Sequence, residues 1–155
     1  MIRVVFICTG NICRSPTAEA LLREKWKQSG YDGLIVSSMG IHGLDKQEAS
    51  QFAKNVCKEN DIDLSEHRSR RLDIPELESA DIIFSMEKVQ KEFLKLFFPK
   101  FDDKSFLLGA WPAKETRKSD IKDPMGSTLK TYKQVYKIIN EHIDRIIPEI
   151  REYYY

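Results

Sequence analysis

The chain has 155 residues, with 25 Lys and Arg against 24 Asp and Glu for a formal net charge of +1. That is the size of one domain with one sizeable core, and so even a charge balance excludes electrostatic capture of nucleic acid or an acidic membrane. Three cysteines, an odd number, argue against a secreted disulfide framework, and no apolar run approaches membrane-spanning length, so the expectation is one cytoplasmic domain over residues 1–155.

The first apolar run, residues 4–7, predicts a strand buried on both faces. It leads directly into Cys8-Thr9-Gly10-Asn11-Ile12-Cys13-Arg14-Ser15-Pro16. Ser15 and Pro16 suit an N-cap and a first helical position, and Ala18, Leu21, Leu22 and Trp26 form the stripe of the helix they open. Residues 34–36 predict a second strand, and Ala49, Phe52, Ala53, Val56 and Cys57 a second helical stripe. A third strand is expected at 82–84, then a stripe of Val89, Phe93, Leu96 and Phe97 closed by Pro99, then a strand at 106–108. Tyr132, Val135, Tyr136, Ile139, Ile143, Ile146, Ile147 and Ile150 make the longest stripe, where Pro148 is expected to kink or fray the last turn. The tail Tyr153-Tyr154-Tyr155 reads as a frayed, partly exposed end, with a regulatory phosphorylation cluster as the weaker alternative. Strand–helix alternation implies an α/β sandwich around a parallel sheet, whose ligands bind beyond the carboxyl ends of strands. Cys8 falls at such an end.

A cysteine and an arginine six positions apart across a strand-to-helix turn are suited to attack on a phosphate ester. The thiol is the nucleophile, and inward N–H groups with the helix N-terminus favour negative charge on sulfur and phosphate. Arg14 adds a planar fork of donors for phosphoryl oxygens. The bare spacing is weak, and a structural cysteine in a βα turn is the competing reading; the buried strand before and the helix start after favour the chemical one. Asp123, in Ile121-Lys122-Asp123-Pro124-Met125-Gly126-Ser127, is the candidate proton donor on a loop stiffened by Pro124 and turned at Gly126. Spacing alone fits an ordinary Asp-Pro turn as well. On residue types alone, Asn11 is a left-handed turn residue, Ser15 a cap, and His67, beside Arg68, Arg70 and Arg71, a solvated surface residue. Histidines and cysteines are scattered, so no metal is expected and no cofactor is implied.

The Cys8–Pro16 run, with Asp123-Pro124 near the end of a chain this long, closely resembles the low-molecular-weight protein tyrosine phosphatases over essentially the whole sequence. The resemblance implies a flavodoxin-like three-layer sandwich: a four-stranded parallel sheet flanked by helices, with a phosphate loop between the first strand and first helix. It implies Cys8 as nucleophile, Arg14 as phosphate clamp and Asp123 as general acid, with Thr9, Gly10, Asn11, Ile12, Cys13 and Ser15 around the phosphate. Asn11 would lie under the loop, linked through its side chain to Ser38 and His67, and Ser15 would hydrogen-bond the Cys8 sulfur. Cys13 matches a second family cysteine that can pair reversibly with the nucleophile; a small loop filler is the alternative. Cys57 reads as core. Met125 replaces an aromatic that many relatives carry, and residues 39–44 lack a tryptophan found at the pocket wall of some. Glu87 stands for the family's aspartate, a change expected to be neutral. Ile12, where related arginine phosphatases carry threonine, points to phosphotyrosine. The function implied is hydrolysis of phosphotyrosine in proteins and of small aryl phosphates. Protein-arginine phosphatase, thiol-dependent arsenate reductase and a non-catalytic phosphate-binding module are the alternatives.

Overall fold

The computed structural model describes residues 1–154. Its elements run β1 (Ile2–Cys8), α1 (Arg14–Gln28), β2 (Leu34–Gly40), α2 (Gln51–Glu59), α3 (Ile74–Ser79), β3 (Ile82–Ser85), α4 (Lys88–Phe97), β4 (Ser105–Leu107) and α5 (Leu129–Tyr154), with a 3₁₀ segment, Pro99–Lys104, before β4. The strands pair in parallel in the order β2-β1-β3-β4, the flavodoxin-like arrangement. All four strands fall where short apolar runs predict them.

β1 explains the layering. Successive side chains point to opposite faces, so Val4, Phe6 and Cys8 join the core under α1, α2 and α5. Val5 and Ile7 join a second core with Leu77 of α3, Leu94 of α4 and Phe101. Both faces are covered, and the run is therefore continuously apolar. The α1 stripe of Ala18, Leu21, Leu22 and Trp26 is fully buried, as is the inner face of α5 from Tyr132 to Ile150.

Three expectations need correction. The α4 stripe does not face the core: Leu94 and Gln90 are buried, whereas Val89, Leu96 and Phe97 are 63%, 74% and 59% exposed and Phe93 is half-buried. Periodicity located an apolar arc, but a polar anchor at Gln90, described below, decides which side turns inward. Pro148, expected to kink or fray the last turn, does not fray α5, which continues to Tyr154. Pro148 is exposed, so the carbonyl it leaves without a helical donor can be solvated, while Ile147 and Ile150 hold the helix from its inner side. The tail is accordingly helical through Tyr154 instead of frayed, while Tyr153 is largely exposed as expected. Tyr153 packs 5.9 Å from Trp111, and the Tyr154 hydroxyl donates to the Asp81 carbonyl at 3.3 Å. Tyr155 lies outside the described residues. In α2, Phe52 of the predicted stripe is partly exposed and packs edge-on against Tyr132 at 5.3 Å. Among the described residues no helix is long and apolar enough to cross a membrane.

On α5, Arg145 clamps the loop after β4 by donating to the carbonyls of Leu108 and Trp111, and it also donates to Nδ1 of His142. Burial first, and the Arg145 charge second, push His142 down to about 4. As pH falls below about 6.5 the imidazole of the unfolded chain takes up a proton that the folded chain does not accept until about 4. Stability should therefore be fully present above about pH 6.5 and fall as pH drops towards 4. His142→Gln should flatten that part of the urea-unfolding pH profile; an unchanged slope would show that His142 does not contribute to it.

Candidate active site

Cys8 is the last residue of β1 and pairs with Gly40 at the end of β2. Here glycine is needed for space, since a Cβ at position 40 would stand 2.7 Å from the Thr9 carbonyl oxygen. The Ile41 and His42 N–H groups donate to the carbonyls of Cys8 and Thr9, so residues 41–42 buttress the loop from behind. Asn11 adopts φ 58°, the left-handed conformation its type tolerates, and its N–H donates to Cys8 Sγ at 3.2 Å. The loop is thereby wound around the sulfur. Helix α1 begins at Arg14, with Cys13 at the cap position. Ser15 is thus inside the first turn and does not cap it; its hydroxyl lies 2.9 Å from Cys8 Sγ.

The direction of the hydrogen bonds follows from one fixed group. The Arg70 N–H donates to Asn11 Oδ1 at 3.0 Å, which orients the carboxamide. Nδ2 of Asn11 then donates to Ser15 Oγ and to Ser38 Oγ, each at 2.9 Å. Ser15 Oγ is already an acceptor from Asn11, so its own proton is available to the sulfur. Ser38 likewise donates its hydroxyl hydrogen bond to the Glu19 carboxylate at 2.7 Å. His67 does reach this network, but through the main chain: Nε2 donates to the Asn11 carbonyl at 2.7 Å, not to its side chain. Because a carbonyl can only accept, the Nε2 proton is fixed there. Arg70 is also committed internally, with Nε on the Ser38 carbonyl and a two-pronged pair to Glu76 at 2.6 and 2.7 Å. Those hydrogen bonds from Arg70 hold the Glu76 carboxyl below its usual range.

Arg14 is 2% exposed. Its guanidinium donates to Glu87 and to the Ile121 carbonyl (2.7 Å), and Nη2 lies 3.6 Å from Asp123 Oδ2. Glu87 thus holds the buried cation in place. Gln90, three residues on, accepts from the Glu87 and Met86 N–H groups at 2.9 Å, and its amide donates to Thr9 Oγ1 at 3.1 Å. The start of α4 is tied to the loop on two sides. Asp123 Oδ1 accepts from the Met125 N–H at 3.0 Å and Gly126 takes φ 79°, which closes the turn that presents the carboxylate. The Tyr132 hydroxyl donates to Met125 Sδ at 3.1 Å and ties this turn to α5. Cys8, Thr9, Gly10, Ile12, Cys13, Arg14, Asp123 and Met125 line one cleft of about 170 Å³.

Cys13 also lines, with Cys57 and Thr17, a small cavity under α5. Burial, and then the neighbouring Cys8, push the Cys13 thiol far above its usual range, and burial pushes Cys57 up to about 11. All three cysteines are free. Among the described residues no group of three His, Cys, Asp or Glu is placed to hold a metal ion.

The chain and its fold have known counterparts. A family model described as "Low molecular weight phosphotyrosine protein phosphatase" matches residues 3–153. A probable low molecular weight protein-tyrosine-phosphatase, EpsP, from Ralstonia nicotianae is 34% identical over 96% of this chain and 95% of its own. A protein-arginine-phosphatase from Geobacillus stearothermophilus is also 34% identical, over 96% of each chain. The solved structure of a low molecular weight protein tyrosine phosphatase from T. tengcongensis superposes with a TM-score of 0.89 at 35% identity, covering 96% of this chain and 99% of that one.

Asn11 has no exposed surface, and removing its amide takes the acceptor from the Arg70 N–H and a donor from both Ser15 and Ser38. Asn11→Ala should lower the unfolding free energy in urea by about 3 kcal/mol, from unpaired buried groups and a left-handed alanine. A loss below about 0.5 kcal/mol, the size of a neutral surface change, would mean the network does not hold the loop.

Proposed function

Because the chain belongs to the low molecular weight phosphotyrosine protein phosphatase family, we propose that it hydrolyses phosphotyrosine in proteins through a phosphocysteine intermediate. The observation that carries this reading is the convergence of Cys8, the buried Arg14 and Asp123 on a single cleft. Cys8 sulfur attacks phosphorus in line, forming the S–P bond as the O–P bond to tyrosine breaks. Asp123, 43% exposed at the mouth, gives its proton to the departing phenolate oxygen. Water then attacks the phosphocysteine, Asp123 takes a proton from it, and inorganic phosphate leaves with Cys8 restored. Arg14 and the loop N–H groups hold the equatorial oxygens, whose charge changes most in the transition state. Ser15 donates to the sulfur when it is the leaving group. Asn11, Ser38 and His67 support the loop.

Ile12 in the cleft lining supports tyrosine over arginine as the phosphorylated residue. The equal identity to a named arginine phosphatase makes phosphoarginine the second reading, which the same assay decides. Three free thiols support a reducing, cytoplasmic setting. Cys13, in the same loop as Cys8, is the proposed partner of an oxidised nucleophile.

Wild-type protein should hydrolyse p-nitrophenyl phosphate in the presence of reductant, and Cys8→Ser should bind phosphate without turnover; hydrolysis by that variant would remove the nucleophile assignment. Asp123→Ala should slow phosphotyrosine peptide by about 100-fold and p-nitrophenyl phosphate, with its good leaving group, much less. Equal losses would remove the acid role. A phosphoarginine peptide cleaved faster than its phosphotyrosine counterpart would transfer the substrate assignment. Peroxide treatment followed by mass spectrometry should yield a Cys8–Cys13 disulfide, and over-oxidised Cys8 without that link would rule the pairing out.

A further inference from the structure

The turn that carries Asp123 is the most exposed segment of the cleft. Lys122, Asp123, Met125, Gly126 and Ser127 are all exposed, and Pro124 alone is buried. Among the described residues, two polar contacts tie residues 122–127 to other parts of the protein. One is the ion pair between Asp123 Oδ2 and Arg14 Nη2 at 3.6 Å. The other is the hydrogen bond from the Tyr132 hydroxyl to Met125 Sδ at 3.1 Å.

The two contacts respond differently to the proton on Asp123. The ion pair exists only while the carboxylate is charged. A general acid works from the opposite state, with its proton on, and then the attraction to Arg14 is gone. The Tyr132 contact does not depend on that proton. Tyr132 is 6% exposed, and burial raises its phenol above the ordinary value, so it keeps its own proton across the whole range in which carboxylates titrate. Its ring is carried by α5 and packs edge-on against Phe52 at 5.3 Å, which fixes the position of the oxygen. Met125 connects this hydroxyl to the acid: its sulfur accepts from Tyr132, and its N–H donates to Asp123 Oδ1 at 3.0 Å. With Oδ1 engaged as an acceptor, the acidic proton falls to Oδ2, the oxygen beside Arg14.

We propose that Tyr132 is a positioning residue for the acid step: through Met125 it holds the Asp123 turn in place while Asp123 is protonated and Arg14 no longer attracts it. This role rests on the reading of Asp123 as general acid. A proton donor must lie within hydrogen-bond reach of the departing oxygen, and a turn that drifts by about 1 Å loses that reach. The contribution belongs to the first half of the reaction, in which Asp123 protonates the leaving group. In the second half Asp123 starts as the carboxylate, and the Arg14 charge restrains it. Tyr132 therefore matters most for esters whose leaving oxygen needs the proton, and least for those that depart without it.

The test uses Tyr132→Phe, which removes one oxygen and keeps the ring, and Met125→Leu, which keeps the bulk and removes the acceptor sulfur. Substrates are phenyl phosphate, with a poor leaving group, and p-nitrophenyl phosphate, with a good one. Neither depends on which phosphorylated residue the protein prefers. In Tyr132→Phe, kcat/KM for phenyl phosphate should fall about fivefold relative to p-nitrophenyl phosphate, the effect of one net hydrogen bond. Met125→Leu should show a similar relative loss. Tyr132→Phe made in the Met125→Leu protein should add nothing to it, because both changes remove the same contact. Equal losses for the two esters in Tyr132→Phe, or none, overturn the positioning role, since a merely structural fault slows both alike. A relative loss that Tyr132→Phe still causes in the Met125→Leu protein overturns the tether through the sulfur. Asp123→Ala is the reference: if it slows both esters equally, Asp123 is not the acid, and the role of Tyr132 falls with that reading. Failure of wild type to hydrolyse p-nitrophenyl phosphate overturns the phosphatase reading itself, and both roles with it.

Discussion

The orientation of one carboxamide governs the candidate site. Asn11 is buried at the crossing point of three segments, and the Arg70 N–H decides which end of its amide faces which neighbour. From that choice follow the proton directions at Ser15 and Ser38, and through Ser15 the donor aimed at Cys8. Reversing the amide would set its NH₂ against the Arg70 N–H and its oxygen against two hydroxyls that would then have to turn. A ground state with every group satisfied in only one sense is rigid in the way a catalytic loop requires.

The charge arrangement is built on the same frame. Arg14 is sunk in the protein between Glu87 and Asp123, so the cation is neutralised before any substrate arrives. The two carboxylates are not equivalent. Glu87 hydrogen-bonds the guanidinium and is the more buried, whereas Asp123 stands off at 3.6 Å and is open to solvent. One fixes the guanidinium, and the other is the carboxylate that the proposed mechanism uses as its proton donor.

Much of this was legible in the sequence, for identifiable reasons. The strands were visible because a sheet covered on both faces writes unbroken apolar runs, and the loop because its chemistry is compressed into nine consecutive residues. What escaped depended on long-range pairing. The direction of α4 could not be read because polar Gln90 occupies the inward face, and its reason for being there, Thr9, is 81 positions away. That Glu87 meets Arg14 could not be read either, because the two lie 73 positions apart. His67 looked like a surface residue on residue type alone, because its partner is a main-chain carbonyl that no side-chain pattern records, and only the family resemblance joined it to Asn11. Pro148 misled for the opposite reason: a local rule was right about the lost hydrogen bond, while the isoleucines on the inner side of α5 hold the helix regardless.

β1 pairs with β2 over seven consecutive positions, from Ile2 with Leu34 to Cys8 with Gly40, with its side chains alternating between two filled cores. Inserting or deleting a single residue in that strand would turn every following side chain to the opposite layer and carry the thiol to the wrong side of the sheet. Substitutions of one aliphatic residue for another leave the count intact. Over evolutionary time this segment is therefore free to drift in spelling but not in length, and the insertions that diversify such a chain must collect in its loops.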